Sequence, residues 1–73
     1  MSNQIKFRVF QDPTGTWDAW DEETFRIAQN NHREYLRASG NEFSFRMLDC
    51  LAKAVVIYAE SPTEAIKKGK TLK

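Results

Sequence analysis

The run Ala54–Lys68, AVVIYAESPTEAIKK, decides how the rest of the chain can fold. Its first part, Val55-Val56-Ile57-Tyr58, is β-branched and aromatic, which suits a pleated, half-buried surface. Its second part opens a helix. Ser61 can accept a hydrogen bond from the amide of Glu64, and the Glu64 side chain can return to the amide of Ser61, as in a capping box. Pro62 falls at the first helical position, where its missing N–H is no loss and its φ is already helical. The run therefore reads as a strand, Val55–Ala59, feeding a capped helix. A competing reading stays open. Phe45, Leu48, Leu51, Ala52, Val55 and Tyr58 also recur at helical spacing, so Phe45–Ala59 could be one buried helix.

Upstream, Ile5, Phe7 and Val9 alternate with Lys6, Arg8 and Phe10, the period of a strand. Asp12-Pro13-Thr14-Gly15 is a turn, because proline presets φ and glycine permits positive φ. Trp17-Asp18-Ala19-Trp20 completes a predicted β-hairpin. Asp21 is a candidate N-cap, Glu22 and Glu23 favour a helix start, and Gly40 sits where a C′ glycine belongs. Between them Phe25, Ala28, His32, Tyr35, Leu36 and Ser39 cluster on one helical face. Asn30-Asn31 is the weak point of that helix, and the alternative is a third strand at Thr24–Ala28 followed by a short helix. Phe43, Phe45 and Met47 alternate with Ser44, Arg46 and Leu48, which predicts a strand joined to Val55 through Asp49–Lys53. Gly69 is expected to end or fray the last helix, with loose ends at residues 1–4 and 70–73. The expected order is β-β-α-β-β-α. This is a small single α+β domain over residues 1–73, with an antiparallel sheet of three to four strands and two helices on one face.

Size bounds the function. A chain of 73 residues buries only about 60% of its unfolded surface and is marginally stable alone. A protein partner or a homo-oligomer is one expected source of further stability. Cys50 is the only cysteine, so no internal disulfide can form, and its presence suits a reducing compartment. Net charge is +1, which gives no global electrostatic case for nucleic acid. Met1-Ser2-Asn3-Gln4 does not start like a signal peptide, and no run approaches the roughly 18 apolar residues of a membrane span. A cytoplasmic protein without membrane contact is expected.

Catalytic equipment is sparse. His32 is the only histidine, and Glu34 points to a different face of the same predicted helix, so no base with a partner is apparent. Cys50 beside Asp49 forms no catalytic pattern, and phosphate-loop, dinucleotide and HExxH motifs are missing. No enzymatic activity, cofactor or metal is expected.

Two surface features stand out. Arg26, Arg33 and Arg37 share one flank of the first helix, and arginine suits bidentate contact with carboxylate or phosphate. Acids Asp12, Asp18, Asp21, Glu22 and Glu23 are grouped early, while Lys67, Lys68, Lys70 and Lys73 crowd the end. That separation can steer association or simply serve two helix dipoles. In a regular hairpin Trp17 and Trp20 face opposite ways, so one is expected in the core and the other exposed, with Phe10 beside it. Tryptophan and arginine are favoured interface anchors. The expected function is a small non-enzymatic protein-binding module that binds through Trp17, Trp20, Arg26, Arg33 and Arg37. The alternative is a nucleic-acid-binding accessory protein using Arg26, Arg33, Arg37, Lys67, Lys68 and Lys70.

Val56-Ile57-Tyr58-Ala59-Glu60-Ser61 with Glu64-Ala65-Ile66 resembles the strand-to-helix joint of HicB-like antitoxins. It is also similar to that of small bacteriophage inhibitors of bacterial RNA polymerase. The resemblance covers a minor part of the chain. It implies a phage or mobile-element regulator or inhibitor of a larger host complex.

Overall fold

The computed structural model describes residues 3–72. Three strands and three helices follow in the order β1 (Ile5–Gln11), β2 (Trp17–Asp21), α1 (Glu22–Ser39), α2 (Glu42–Ala52), β3 (Val55–Ala59) and α3 (Pro62–Lys70). The strands form one antiparallel sheet with β1 in the middle and the order β2-β1-β3. The architecture is thus α+β.

The hairpin is built as its turn residues dictate. Asp12 Oδ1 accepts hydrogen bonds from the Thr14 and Thr16 amides at 2.9 and 3.0 Å and from the Thr14 hydroxyl. Gly15 takes φ 89°, a conformation open to glycine and strained for other residues. In register, Val9 faces Ala19 on one side and Val55 on the other.

Both faces of the sheet carry a core. On one, Phe7, Val9, Ala19, Ile57 and Ala59 pack with Ala65 of α3, flanked by Trp17, Val55 and Ile66. On the other, Phe10 packs with Phe25 of α1 and with Met47 and Leu51 of α2, flanked by Trp20 and Ala54. The helices therefore lie on opposite faces, not together on one. Phe10, expected near an exposed surface, is 3% exposed because α1 and α2 cover it.

The predicted strand at Phe43–Leu48 is instead the first half of α2. Asn41 caps it, accepting from the Ser44 amide at 3.0 Å. Ser44, Met47 and Leu51, three and four residues apart, turn inward, while Phe43 and Phe45 stay exposed. The alternation of Phe43, Phe45 and Met47 had the wrong period, and the helical spacing carried the burial. Helical order stops at Lys53, and β3 begins at Val55 as the β-branched run predicts.

The other helix signals are used nearly as written. Asp21 caps α1 through the Thr24 amide at 2.8 Å, and Gly40 ends it at φ 64° with its N–H donating to the Leu36 carbonyl. Asn30 and Asn31 lie within that continuous helix. Ser61 caps α3 through the Glu64 amide, but the returning Glu64 carboxylate accepts from the Glu60 amide, one residue earlier than expected. Gly69 is the next-to-last residue of α3. It is buried inside the helix, and a Cβ there would stand 2.7 Å from Cγ1 of Val9. At the chain ends, Asn3 and Gln4 precede β1, while Lys70, expected to be loose, is the last residue of α3, and the Thr71 hydroxyl and Leu72 amide turn back to the Lys68 and Gly69 carbonyls. The rest of the expected loose ends, residues 1, 2 and 73, lies outside the described residues.

Candidate functional site

Helix α1 projects from the sheet. Its 18 residues make a rod about 27 Å long at 1.5 Å per residue, and only Phe25, in its first turn, is buried. The helix has α2 as its main neighbour. Ala28, Gln29, His32 and Leu36 are its half-buried positions. The two helices thus form an antiparallel arm, tied to the sheet at Phe25, Met47 and Leu51, and near its other end Glu42, Phe43 and Arg46 share a shallow pocket with Pro13 and Thr14 of the hairpin turn. The molecule measures 46 × 23 × 14 Å accordingly.

The arm is sealed inside by one polar contact. Ser44 is 1% exposed, and its hydroxyl lies 3.1 Å from Nδ1 of His32. Around that imidazole sit two rings, Tyr35 with its centroid 6.2 Å away and edge-on, and Phe43 at 6.2 Å and tilted. Tyr35 and Phe43 are 56% and 54% exposed, so one flank of the arm is an aromatic ridge, Tyr35–His32–Phe43.

The opposite flank is different. Residues two apart on a helix lie about 160° apart around its axis. Arg33 therefore faces away from Tyr35, and Phe45 faces away from Phe43. Arg26, Arg33 and Arg37 line that side of α1, and all three are exposed. Arg37 pairs with Glu34 at 2.7 Å. Arg26 and Arg33 have no ion-pair or hydrogen-bond partner among the described residues. Phe45 is 62% exposed.

Where the strands meet α1, charges are already engaged. Arg8 grips Glu22 through two nitrogens at 3.1 and 3.0 Å, its guanidinium lies 5.2 Å from the Phe25 ring centre, and Lys6 reaches the same carboxylate at 3.1 Å. These contacts, Arg8 first and then Lys6, hold the Glu22 carboxyl at about 2, below its ordinary 4.5. Asp12 and Asp21 are likewise held below their ordinary value, by the hydrogen bonds of Thr14 and Thr24 respectively. Much of the early acidic group is thus committed to a turn, a cap and an ion-pair cluster.

The remaining sequence-predicted residues fall elsewhere. Trp17 and Trp20 are both half-buried, on opposite faces of the sheet. Trp20 meets Phe10 edge-on at 4.8 Å. Neither projects freely, because each face has its own helical cover. Lys67, Lys68 and Lys70 lie in the last turn of α3, across the sheet from the arm, so the structure does not join them to the arginines. Lys68 is spoken for, at 3.2 Å from Glu64 and 3.0 Å from the Tyr58 carbonyl. Sequence reasoning missed Phe43 and Phe45 as surface residues and placed Tyr35 on the inner face. The helical spacing of Ser44, Met47 and Leu51 was the signal that could have turned both phenylalanines outward.

A cleft of about 450 Å³ opens at the turn end of the sheet, between the C-terminal ends of α2 and α3. Val9, Phe10, Trp17 and Val55 line it together with Asp12, Cys50 and Lys53. Among the described residues no group of three or more His, Cys, Asp or Glu side chains could hold a metal ion, and no helix is long and apolar enough to cross a membrane. No protein-family model, curated protein or solved structure matches the chain.

Proposed function

We propose that this protein is a small, non-enzymatic protein-binding module whose contact surface is the α1–α2 arm. One observation carries the reading. The arm leaves the sheet with aromatic side chains exposed on both flanks, Tyr35 and Phe43 on one and Phe45 on the other. An isolated helix pair gains nothing in stability by exposing three large rings, whereas aromatic residues and arginine are the usual anchors of interfaces. Arg26 and Arg33, uncommitted within the described chain, favour a partner with acidic groups. The tryptophans leave the binding set, because they are packed against the two cores.

A regulator or inhibitor of a larger complex would use such an arm as a plug or wedge. A cytoplasmic setting goes with the single free thiol, Cys50. The nucleic-acid alternative is weaker, since the arginines and the α3 lysines lie across the sheet from one another and cannot track one backbone together.

The test compares the intact chain with Tyr35→Ala/Phe43→Ala and Arg26→Glu/Arg33→Glu in affinity enrichment from lysate, followed by titration of any stoichiometric partner. A partner retained by the native chain and lost by the arm variants supports the reading. Equal retention by all three rejects it.

A further inference from the structure

The two edges of the sheet are not equally protected. β2 carries Asp18 and Asp21 among its five residues, and charge on an edge discourages pairing with another strand. β3, at the other edge, is Val55-Val56-Ile57-Tyr58-Ala59, with no charge and no proline. Its side chains alternate. Ile57 and Ala59 are buried toward α3, while Val56 and Tyr58, on the other face, are 41% and 56% exposed. Neither α1 nor α2 reaches over β3. The exposed run combines a strong strand sequence, an open edge and an uncovered apolar pair.

We propose that β3 pairs antiparallel with β3 of a second copy of this chain, about a two-fold axis at Ile57, joining two three-stranded sheets into one. Three observations select this occupant and this register. First, pairing centred on Ile57 sets Val56 opposite the second copy's Tyr58, and Tyr58 opposite its Val56. Aromatic with β-branched is a favoured cross-strand pair, and here the apolar surface left by one copy is covered by that of the other. Second, the charges flanking the strand are of opposite sign, Lys53 before it and Glu60 after it. Antiparallel pairing brings each Lys53, which also reaches its own Asp49 at 3.1 Å, within one register position of the Glu60 of the second copy, whereas parallel pairing would set like against like. Third, this register keeps Ile57 and Ala59 of both copies facing their own α3 helices, where a one-residue slip between the strands would disturb the alternation.

One contact must be exchanged. Lys68 Nζ donates to the Tyr58 carbonyl at 3.0 Å, a lysine guard of the kind edges carry. In the paired form a backbone N–H of the second copy takes over that carbonyl, and Lys68 keeps its ion pair with Glu64. A five-residue strand is about 17 Å long, so the interface falls short of the roughly 1,200 Å² of stable complexes. The dimer is accordingly concentration-dependent. Its axis stands perpendicular to the sheet, so both α1–α2 arms emerge on the same side. The pairing does not rest on what the arms bind.

Sedimentation equilibrium of the full chain from micromolar to millimolar concentration tests the proposal. The mass is expected to rise toward that of two chains. Val56→Lys/Tyr58→Lys, which puts four ammonium groups at the seam and removes no buried side chain, is expected to stay monomeric throughout. Lys53→Glu and Glu60→Lys should each weaken association severalfold, and Lys53→Glu/Glu60→Lys should restore it. Circular dichroism confirms that each variant is folded. A native chain that is monomeric at every concentration overturns the proposal and leaves the edge to an extended segment of another protein. Association that survives the lysine pair, or is not restored by the charge exchange, overturns it as well.

Discussion

The Ser44 hydroxyl, 1% exposed in the first turn of α2, lies 3.1 Å from Nδ1 of the half-buried His32 on α1. It is the buried polar residue of the described core, and its partner is the sole histidine. The pair fixes how the two helices of the arm meet. Ser44→Ala removes the donor and acceptor together and is expected to cost about 0.5–1.5 kcal/mol, the net worth of one hydrogen bond. His32→Ala leaves the buried hydroxyl without its partner, at about 1–3 kcal/mol, and also strips the support of the Tyr35 and Phe43 rings. Urea unfolding should therefore rank His32→Ala below Ser44→Ala. The reverse order would mean that the contact does not hold the arm.

Gly69 stands inside α3 because Val9 leaves no room for a side chain. Alanine at that position gains about 1 kcal/mol of helix propensity. It also drives a methyl group to 2.7 Å from Cγ1 of a valine that is 1% exposed. Overpacking of a tight core costs about 1–3 kcal/mol, so Gly69→Ala is expected to lower stability on balance. Val9→Ala alone opens a cavity, but combined with Gly69→Ala the two changes compensate in volume. The double variant should be more stable than the sum of the single losses predicts, as a denaturation cycle would show.

Glu22 ties β1 to the start of α1 through Arg8 and Lys6. Its folded value of about 2 lies below the ordinary 4.5. The carboxylate form is thus favoured by folding. Its contribution is fully present above pH 4.5 and is lost as pH falls toward 2. The cluster is partly exposed, so salt weakens the effect. Carboxyl-resolved NMR titration should find Glu22 protonating well below the ordinary 4.5. The thermal midpoint of Glu22→Gln should fall less steeply between pH 4.5 and 2 than that of the native chain. Equal slopes would show that the cluster contributes nothing to acid stability.

The legibility of the chain followed the locality of its signals. Asp21, Gly40, Ser61 and Pro62 act within one turn of their own position, and each does in the structure nearly what its chemistry implies. The hairpin, with Asp12 and Gly15 at its turn, is equally local. Two features needed knowledge of distant neighbours. Phe43 to Leu48 satisfies both a strand and a helix period, and Asn41 as an N-cap was the local clue that breaks the tie. Trp20 and Phe10 look like surface residues when only one face of the sheet is given helices. Phe10 is core and Trp20 half-buried against it because α1 and α2 fold over the face that α3 leaves open. The candidate site changed for the same reason. The arginines were readable from α1 alone, whereas the exposed rings of Phe43 and Phe45 appear only once α2 is a helix.

Binding through the arm and folding of the arm should separate cleanly. Tyr35 and Phe45 are 56% and 62% exposed, whereas Phe25 is 4% exposed and meets Phe10 with ring centres 6.4 Å apart. Exposed side chains away from buried features change stability by about 0.5 kcal/mol or less on substitution, while truncating a buried phenylalanine costs about 3–5 kcal/mol. Tyr35→Ala and Phe45→Ala are thus expected to unfold at nearly the native urea concentration, and Phe25→Ala far below it. Because Phe25 is the buried residue of α1, its loss should also free the arm from the sheet. Hydrogen exchange would report this as faster exchange along α1 than along β1. If Tyr35→Ala or Phe45→Ala proved as destabilising as Phe25→Ala, those rings would be structural, and the case for the arm as a binding surface would lose its chief support.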